Sequence, residues 1–415
     1  MAKVALVIPP FFWTKTPHIG IEFLIQALKR KHKVDLFDLN MASFQILRKR
    51  RSEWDKLGGE KAPSLFQYLK SSYPRFIDST LKSLKKYDLV GISVFRRNRA
   101  FSLRLAEELE NSGFSGRLIL GGPEVSFIKD FCGQKVIGEG ERAIAAIAQG
   151  ESKDFLFWET DNLDSLPLLE FRKFNLRAFP RVLPLLSSRG CIRRCRFCTE
   201  WRLYKKFRQH TPAYIVAQMK KLWRDYKIDW FSFQDSLINA SLGWLEEFGR
   251  RLSEENLPIR WEAQMIIRDD MTTDLLALLQ KAGCTNIFFG LESASEKVLK
   301  DIGKPFCPQE ALSLFTRLTG LSLHFEISLI IGYPTETEED FLCTLSFLKE
   351  NKKLIPKIAQ VNPFILLENS LLKEEGITPL PQTIVKKRMK KVLKLIKNEG
   401  LRHRLSFINN LADGN

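Results

Sequence analysis

Apolar residues fall along this chain in short, nearly unbroken runs separated by longer amphipathic stretches, and this alternation occurs twice. In the first half the runs are VALVI at 4–8, VDLF at 34–37, LVGISV at 89–94, RLILG at 117–121 and KVIG at 135–138. Runs this short, continuous and rich in β-branched residues predict strands buried on both faces, as in a parallel sheet. Helices are predicted at about 20–31, 99–111 and 141–149, with a mixed, strongly basic helical insertion filling 41–86. The pattern predicts an open, doubly wound α/β domain over residues 1–150. Such sheets take ligands at the carboxyl ends of their strands, where IPPFFWT, SVFRRN, GGPEVS and GEGE would gather. Gly121 and Gly122, and Gly138 with Gly140 one strand further on, are candidates for close backbone approach to a ligand, an ordinary turn being the alternative at each.

A linker is expected at 151–181, and a second alternation follows it. Its strand-like runs are LPLLSS (183–188), DWFSFQ (229–234), IRWEAQ (259–264), NIFFG (286–290), LHFEISLI (323–330) and IAQVNPFI (358–365). Amphipathic helices between them predict a partial (β/α)6 TIM-type barrel over 182–370, with functional residues at the strand carboxyl ends. Residues 371–415 form a helical C-terminal extension containing the basic helix TIVKKRMKKVLKLIKN, a candidate cap for the barrel mouth.

Composition narrows the class. The 415 residues are 44% hydrophobic and 11% aromatic, within the range of folded globular proteins. No stretch approaches the roughly 20 apolar residues of a membrane span. The opening MAKVALVIPPFF is broken too early by Pro9 and Pro10 for a signal peptide, so a cytoplasmic location is expected. The net charge of +17 is spread over RKRR at 48–51, RRNR at 96–99 and KKRMKK at 386–391, which reads as solvated basic faces more than as a nucleic-acid stripe. Of the seven cysteines, Cys132, Cys284, Cys307 and Cys343 are scattered singly while three crowd together, a pattern that suits a metal site and not a disulfide framework.

Those three lie in SSRGCIRRCRFCTEW, directly after the first barrel strand. Thiolates at Cys191, Cys195 and Cys198 can hold three irons of a cubane cluster and leave the fourth iron open for a ligand. Zinc is the alternative, with His210 the only further ligand in reach along the chain. A CxxxCxxC loop in this strand context resembles the radical S-adenosylmethionine (SAM) superfamily. The resemblance implies a 4Fe-4S cluster on the three cysteines, SAM on the open iron, and Phe197 packing near the adenine.

Further segments extend the resemblance through the barrel. FSFQDSLIN places Asp235 where the family holds the SAM amino group, a helix N-cap being its structural alternative. WEAQMIIRDDM makes Arg268 the counterpart of a SAM carboxylate contact. KAGCTNIFFGLESASEKVLKDIGK puts Glu292, followed by Ser293, at the SAM ribose, and SLIIGYPTETEEDF puts Gly332 at the adenine turn.

The first 150 residues resemble the cobalamin-binding domain that precedes the barrel in a large subfamily of radical SAM enzymes. The matching pieces carry Phe12 and Trp13, Ser93, Gly121 and Gly122, and Glu139, Gly140 and Glu141 as candidate cobalamin contacts. The Asp-x-His-x-x-Gly sequence that supplies an axial histidine in other B12 proteins is missing; His18 and Gly20 have neither its spacing nor its aspartate. The resemblance implies a cobalamin-dependent C-methyltransferase, the alternatives being a B12-dependent cyclase or rearrangement enzyme and a radical SAM enzyme with a degenerate B12 domain. It also implies a small-molecule or peptide substrate and an external one-electron donor such as flavodoxin or ferredoxin.

Overall fold

A computed structural model describes residues 1–48, 54, 57 and 65–403. The chain divides into two compact units, Met1–Pro184 with Arg224–Ile228, and Leu185–Trp223 with the chain from Asp229 onward. Most of RKRR at 48–51, part of the insertion at 41–86 and the tail beyond 403 lie outside the described residues.

The first unit is built on six strands, β1 (Lys3–Ile8), β2 (Lys33–Asp38), β3 (Leu89–Ser93), β4 (Arg117–Gly121), β5 (Gln134–Gly138) and β6 (Phe155–Trp158). They pair parallel throughout in the order β2-β1-β3-β4-β5-β6. Five of these strands are the predicted runs. The sixth, FLFW, falls inside the stretch expected as a linker. Helices α1 (Ile19–Leu28), α2 (Leu39–Ile46), α3 (Leu65–Ser72), α4 (Pro74–Leu84), α5 (Arg99–Asn111) and α6 (Gly140–Ala148) connect them. The order reverses between β1 and β3, so the loops after these two strands flank the topological switch point of a flavodoxin-like sheet. Residues 159–181 are fastened to this unit by Glu22 of α1, whose Oε1 accepts from Glu170 N at 2.9 Å and Phe171 N at 3.0 Å.

β7 (Leu183–Leu185) spans the division between the units, and the second unit carries β8 (Ser188–Arg189), β9 (Arg208–Gln209), β10 (Trp230–Phe233), β11 (Arg260–Met265), β12 (Cys284–Glu292), β13 (Phe325–Ile331) and β14 (Ile358–Pro363). Six of them form a sheet in the order β14-β13-β12-β11-β10-β7, parallel from β10 to β14, while β8 and β9 make a separate antiparallel pair. All six predicted barrel runs are strands of this sheet. The helices are α7 (Pro212–Tyr226), α8 (Leu242–Glu254), α9 (Thr273–Lys281), α10 (Glu296–Ile302), α11 (Pro308–Gly320), α12 (Glu338–Glu350), α13 (Leu371–Glu374) and α14 (Gln382–Asn398). The basic extension is α14, which lies against α12, β13 and β14. After it the chain returns beside β14, where Ile358 N donates to Arg402 O at 2.8 Å. Among the described residues no helix is long and apolar enough to cross a membrane.

Candidate active site

The cysteine loop begins at Gly190 and is closed at its base by the β8–β9 ladder, Ser188 opposite Gln209 and Arg189 opposite Arg208. Gly190 has φ +87°, and a Cβ there would stand 3.0 Å from Lys206 O, so the turn into the loop requires glycine. Inside it Cys191, Cys195 and Cys198 are free, half-buried thiols. Cys198 N closes a tight turn on Cys195 O at 2.9 Å. Arg193 N points at Cys191 Sγ (3.4 Å) and Glu200 N at Cys198 Sγ (3.5 Å).

Burial pushes all three thiols up, Cys198 to about 12. The charges of Cys195 and Cys191 add to the rise at Cys198, and that of Cys195 to the rise at Cys191, so thiolates here would repel one another in the space inside the loop. A polycationic group in that space removes the repulsion, and the backbone N–H groups aimed at sulfur then stabilise thiolate ligands. The residues present fit a cubane, which takes one thiolate on each of three irons. Among the described residues no three His, Cys, Asp or Glu side chains close round one point, as a single tetrahedral ion with Zn–S of about 2.3 Å would need. His210 stacks on Tyr214 at 4.1 Å.

Two elements clamp the loop. Arg196 N donates to Ile302 O at 3.0 Å, and the Arg196 guanidinium pairs with Asp301 of α10 and with Glu375. Arg202 pairs with Glu374 of α13 while its guanidinium lies 4.5 Å from the Trp201 ring. Phe197 packs with Cys195 against Val298, Ile302, Tyr333, Phe364 and Leu372.

The predicted SAM contacts lie beyond the ends of successive strands. Asp235, after β10, accepts from Ser187 N at 3.0 Å and from the hydroxyls of Ser187 (2.7 Å) and Ser188 (2.5 Å). It is therefore a brace between β10 and the β7–β8 corner. The N-cap alternative is corrected, because the cap of α8 is Ser241. Burial pushes the Asp235 carboxyl up, and the serine donors oppose that. Arg268 turns Nε and Nη2 to the two carboxylate oxygens of Asp270 at 2.9 and 2.6 Å, and Nη1 to the carbonyl of Asn239 at 3.1 Å. Asp270 thus occupies the bidentate face that a ligand carboxylate would use. Ser293 is buried and shares a hydrogen bond with Thr344 Oγ1 at 3.3 Å.

Glu292 ends β12 at φ +66°, beside a register shift between Gly290 and Glu292. A non-glycine residue there is strained unless its surroundings hold it. Lys304 Nζ does so, lying 3.2 Å from Glu292 Oε1 and donating to Gly290 O at 2.8 Å, while Ser328 Oγ donates to Glu292 Oε2 at 3.3 Å. A Cβ on Gly290 would collide with the Glu292 carboxylate. Lys304 was not singled out from the sequence, where it looks like an ordinary charge after a helix end. Its side chain is only 8% exposed, and its charge lowers the thiol values of both Cys191 and Cys195. Gly332, with φ +81°, donates its N–H to Glu336 Oε2 at 2.9 Å.

In the first unit several expected cobalamin contacts are engaged by the fold itself. Ser93 Oγ is 3.3 Å from His18 Nε2, and His18 Nδ1 accepts from Ile21 N at 3.2 Å as the N-cap of α1. The proton therefore sits on Nε2, both ring nitrogens are used, and burial lowers the imidazole to about 4. Phe12 stacks on His18 with centroids 4.3 Å apart, and Phe95 lies 5.3 Å from the same ring. A Cβ on Gly122 would meet Val94 O at 2.5 Å, so this glycine serves internal packing, while one on Gly140 would meet only the tip of the Leu24 side chain, at 2.9 Å. Gly121 O accepts from Val94 N at 2.7 Å. Glu139 Oε2 accepts from Thr160 N at 2.6 Å, and Glu141 is buried in the first turn of α6. Trp13 alone among these residues presents a largely exposed ring, 47% accessible.

Residues 185–348 match the radical SAM superfamily. The chain is 25% identical to an uncharacterized methyltransferase of Pyrococcus horikoshii over 84% of this chain and 78% of that protein. In fold it is similar to the radical SAM methyltransferase TsrM from Kitasatospora setae with cobalamin and a 4Fe-4S cluster bound. That match has a TM-score of 0.70 at 16% identity, over 90% of this chain and 77% of the other. It is also similar to the cobalamin-dependent enzyme OxsB with aqua-cobalamin and SAM bound, with a TM-score of 0.67 at 16% identity, over 97% of this chain and 62% of the other. Residues 185–348 are thus matched as a radical SAM domain, which holds the cysteine loop and the strand-end residues, and the fold of the chain is similar to that of the cobalamin-binding radical SAM proteins TsrM and OxsB.

Proposed function

We propose that this enzyme transfers a methyl group to an unactivated carbon of a small-molecule or peptide substrate, using SAM and cobalamin. The observation that carries the reading is the presence in one chain of a flavodoxin-like sheet and a second parallel sheet whose first strand leads into a loop with three free, half-buried cysteines. When bound, the cluster with SAM supplies a 5'-deoxyadenosyl radical, and cobalamin supplies the methyl group.

The chain's own residues bind and orient. Cys191, Cys195 and Cys198 would each take one iron, and Lys304 places an ammonium beside the first two. Glu292, held rigidly by Lys304 and Ser328, offers carboxylate oxygens to ribose hydroxyls. Arg268 would receive a SAM carboxylate in place of Asp270, whose side chain is 59% exposed. Phe197 and the Gly332 turn would flank adenine. In the first unit the exposed ring of Trp13, in the loop after β1, is the candidate surface for the corrin. Both ring nitrogens of His18 are engaged within the fold, so His18 is not the candidate ligand for cobalt. An external one-electron carrier of the flavodoxin or ferredoxin kind would reduce the cluster, in the reducing interior of the cell.

Anaerobic reconstitution with iron, sulfide and hydroxocobalamin, followed by desalting and assay of bound iron and corrinoid, tests the reading. Near-stoichiometric retention of both supports it. Iron without corrinoid removes the methyl donor and leaves hydrogen abstraction with SAM alone.

A further inference from the structure

Two buried residues of α14 reach the turn that follows β13. Val385 packs over Gly332 so closely that a Cβ there would stand 2.7 Å from Val385 Cγ2. One helical turn along, Arg388 Nη1 donates to Glu336 Oε2 at 2.8 Å and to the Glu336 carbonyl at 3.1 Å, while Nε reaches Glu338 Oε2 at 3.3 Å. The same Glu336 oxygen accepts from Gly332 N at 2.9 Å. The guanidinium therefore holds the carboxylate that holds the backbone of the turn. Side-chain exposure is 6% for Arg388 and 1% for Glu336, so water screens little of this contact. The Arg388 cation also lies 5.3 Å from the ring centre of Phe341 in α12.

Such a pair is not explained by stability. Apolar residues of like volume usually serve a buried position as well or better, whereas a hydrogen-bonded ion pair imposes one geometry on its partners. The partner here is a left-handed glycine turn, which has little conformational preference of its own.

We propose that Arg388 and Val385 are positioning residues for SAM: helix α14 fixes the turn at 332–336 in the form that receives adenine. The inference rests on the assignment of Gly332 to the SAM site. It gives the C-terminal extension a task in cofactor binding, with Arg388 acting through Glu336 and not by touching the ligand.

The test uses the full-length, anaerobically reconstituted protein with SAM as the probe. Affinity is measured by isothermal titration, and independently by the change that SAM produces in the electron paramagnetic resonance spectrum of the reduced cluster. Arg388→Ala is expected to weaken SAM binding about tenfold, the scale on which partners standing behind a ligand contact act. Arg388→Lys should recover part of the loss, and Lys387→Ala, on the exposed face of the same helix, should match the wild type. An Arg388→Ala protein with unchanged affinity and an unchanged spectral response overturns the proposal, whatever happens to its Tm. Should that variant not fold, Arg388→Lys and Val385→Ala decide by the same criterion, wild-type affinity in both being the overturning result. A wild-type protein that retains its cluster yet binds no SAM overturns the assignment of the SAM site itself, and this inference with it.

Discussion

The two units treat their strand-end residues in opposite ways. At the switch point of the first sheet, Ser93, His18 and Phe12 are satisfied by one another, and Gly122 exists to let Val94 pass. In the loop after the first barrel strand, three thiols are held within eight residues with burial opposing the ionisation of each, and neighbouring cysteine charge opposing that of Cys191 and Cys198 as well. One crevice is complete as folded. The other is a set of three neutral thiols whose ionisation the fold opposes and a metal cluster would favour. The difference teaches where a ligand is required by the chemistry of the residues and where it is accommodated by the shape of the fold.

The sharpest way to break this contrast is at the cysteines. Replacing any of Cys191, Cys195 or Cys198 by Ala should abolish cluster retention, read as loss of bound iron and of visible absorbance after reconstitution. The thiols are half-buried and form no disulfide, so Tm should move little. A variant that keeps its iron would show that the donor set lies elsewhere.

A second test concerns the strained end of β12. Glu292→Gln leaves the buried Lys304 ammonium without its counter-charge, and removing one partner of a buried pair costs about 3–5 kcal/mol. Thermal or urea unfolding should show that loss, and adding Lys304→Met should recover most of it, since the second change removes the orphaned charge. No recovery would mean that Glu292 is held by the backbone and not by Lys304.

What was legible in the chain follows the same divide between local and distant causes. Strands such as VALVI and RLILG announce themselves because parallel sheets bury both faces, and the CxxxCxxC loop because its three ligands lie in one turn of chain. FLFW escaped notice as the sixth strand because charged residues flank it and the stretch around it carries turn signals. Glu22 looks like the solvated side of α1; its partners are 148 and 149 residues away. Asp235 likewise finds its donors 47 and 48 residues upstream. Arg388 was readable in principle. Within a basic run it occupies the buried stripe of Val385, Met389, Val392 and Ile396 at helical spacing, which a solvated charge has no reason to do.

Gly122 sharpens the claim that the first crevice is shaped from within. At φ +114°, with Val94 O at 2.5 Å from any added Cβ, Gly122→Ala should lower stability by about 3 kcal/mol through backbone strain and collision. Gly121→Ala, whose nearest neighbour would be Val136 Cβ at 4.0 Å, should be tolerated. Unfolding of the two variants side by side separates packing from ligand approach as the reason for the pair. Equal tolerance of both would return Gly122 to the list of ligand contacts.

The smallest expected effect is on His18, and its sign can be worked out. The folded protein holds this imidazole at about 4, below the usual 6.5, because burial disfavours the cation. In the unfolded chain the group protonates first as pH falls, so the unfolded state binds more protons and stability falls with pH between 6.5 and about 4. The contribution is complete above 6.5 and amounts to about 3 kcal/mol when fully lost, at 1.36 kcal/mol per pH unit. His18→Gln removes that titration at a cost of about 1 kcal/mol for the weakened cap of α1. Its stability should therefore fall less steeply with acid than the wild type's, the two curves crossing at pH ~6, where the wild type has lost about 1 kcal/mol, and the variant being the more stable of the two at pH ~4. Because Nδ1 and Nε2 are both engaged within the fold, the variant should retain as much corrinoid as the wild type. A proportional loss of corrinoid would mean that this imidazole leaves Ser93 for cobalt, and the first crevice would then be as dependent on its ligand as the second.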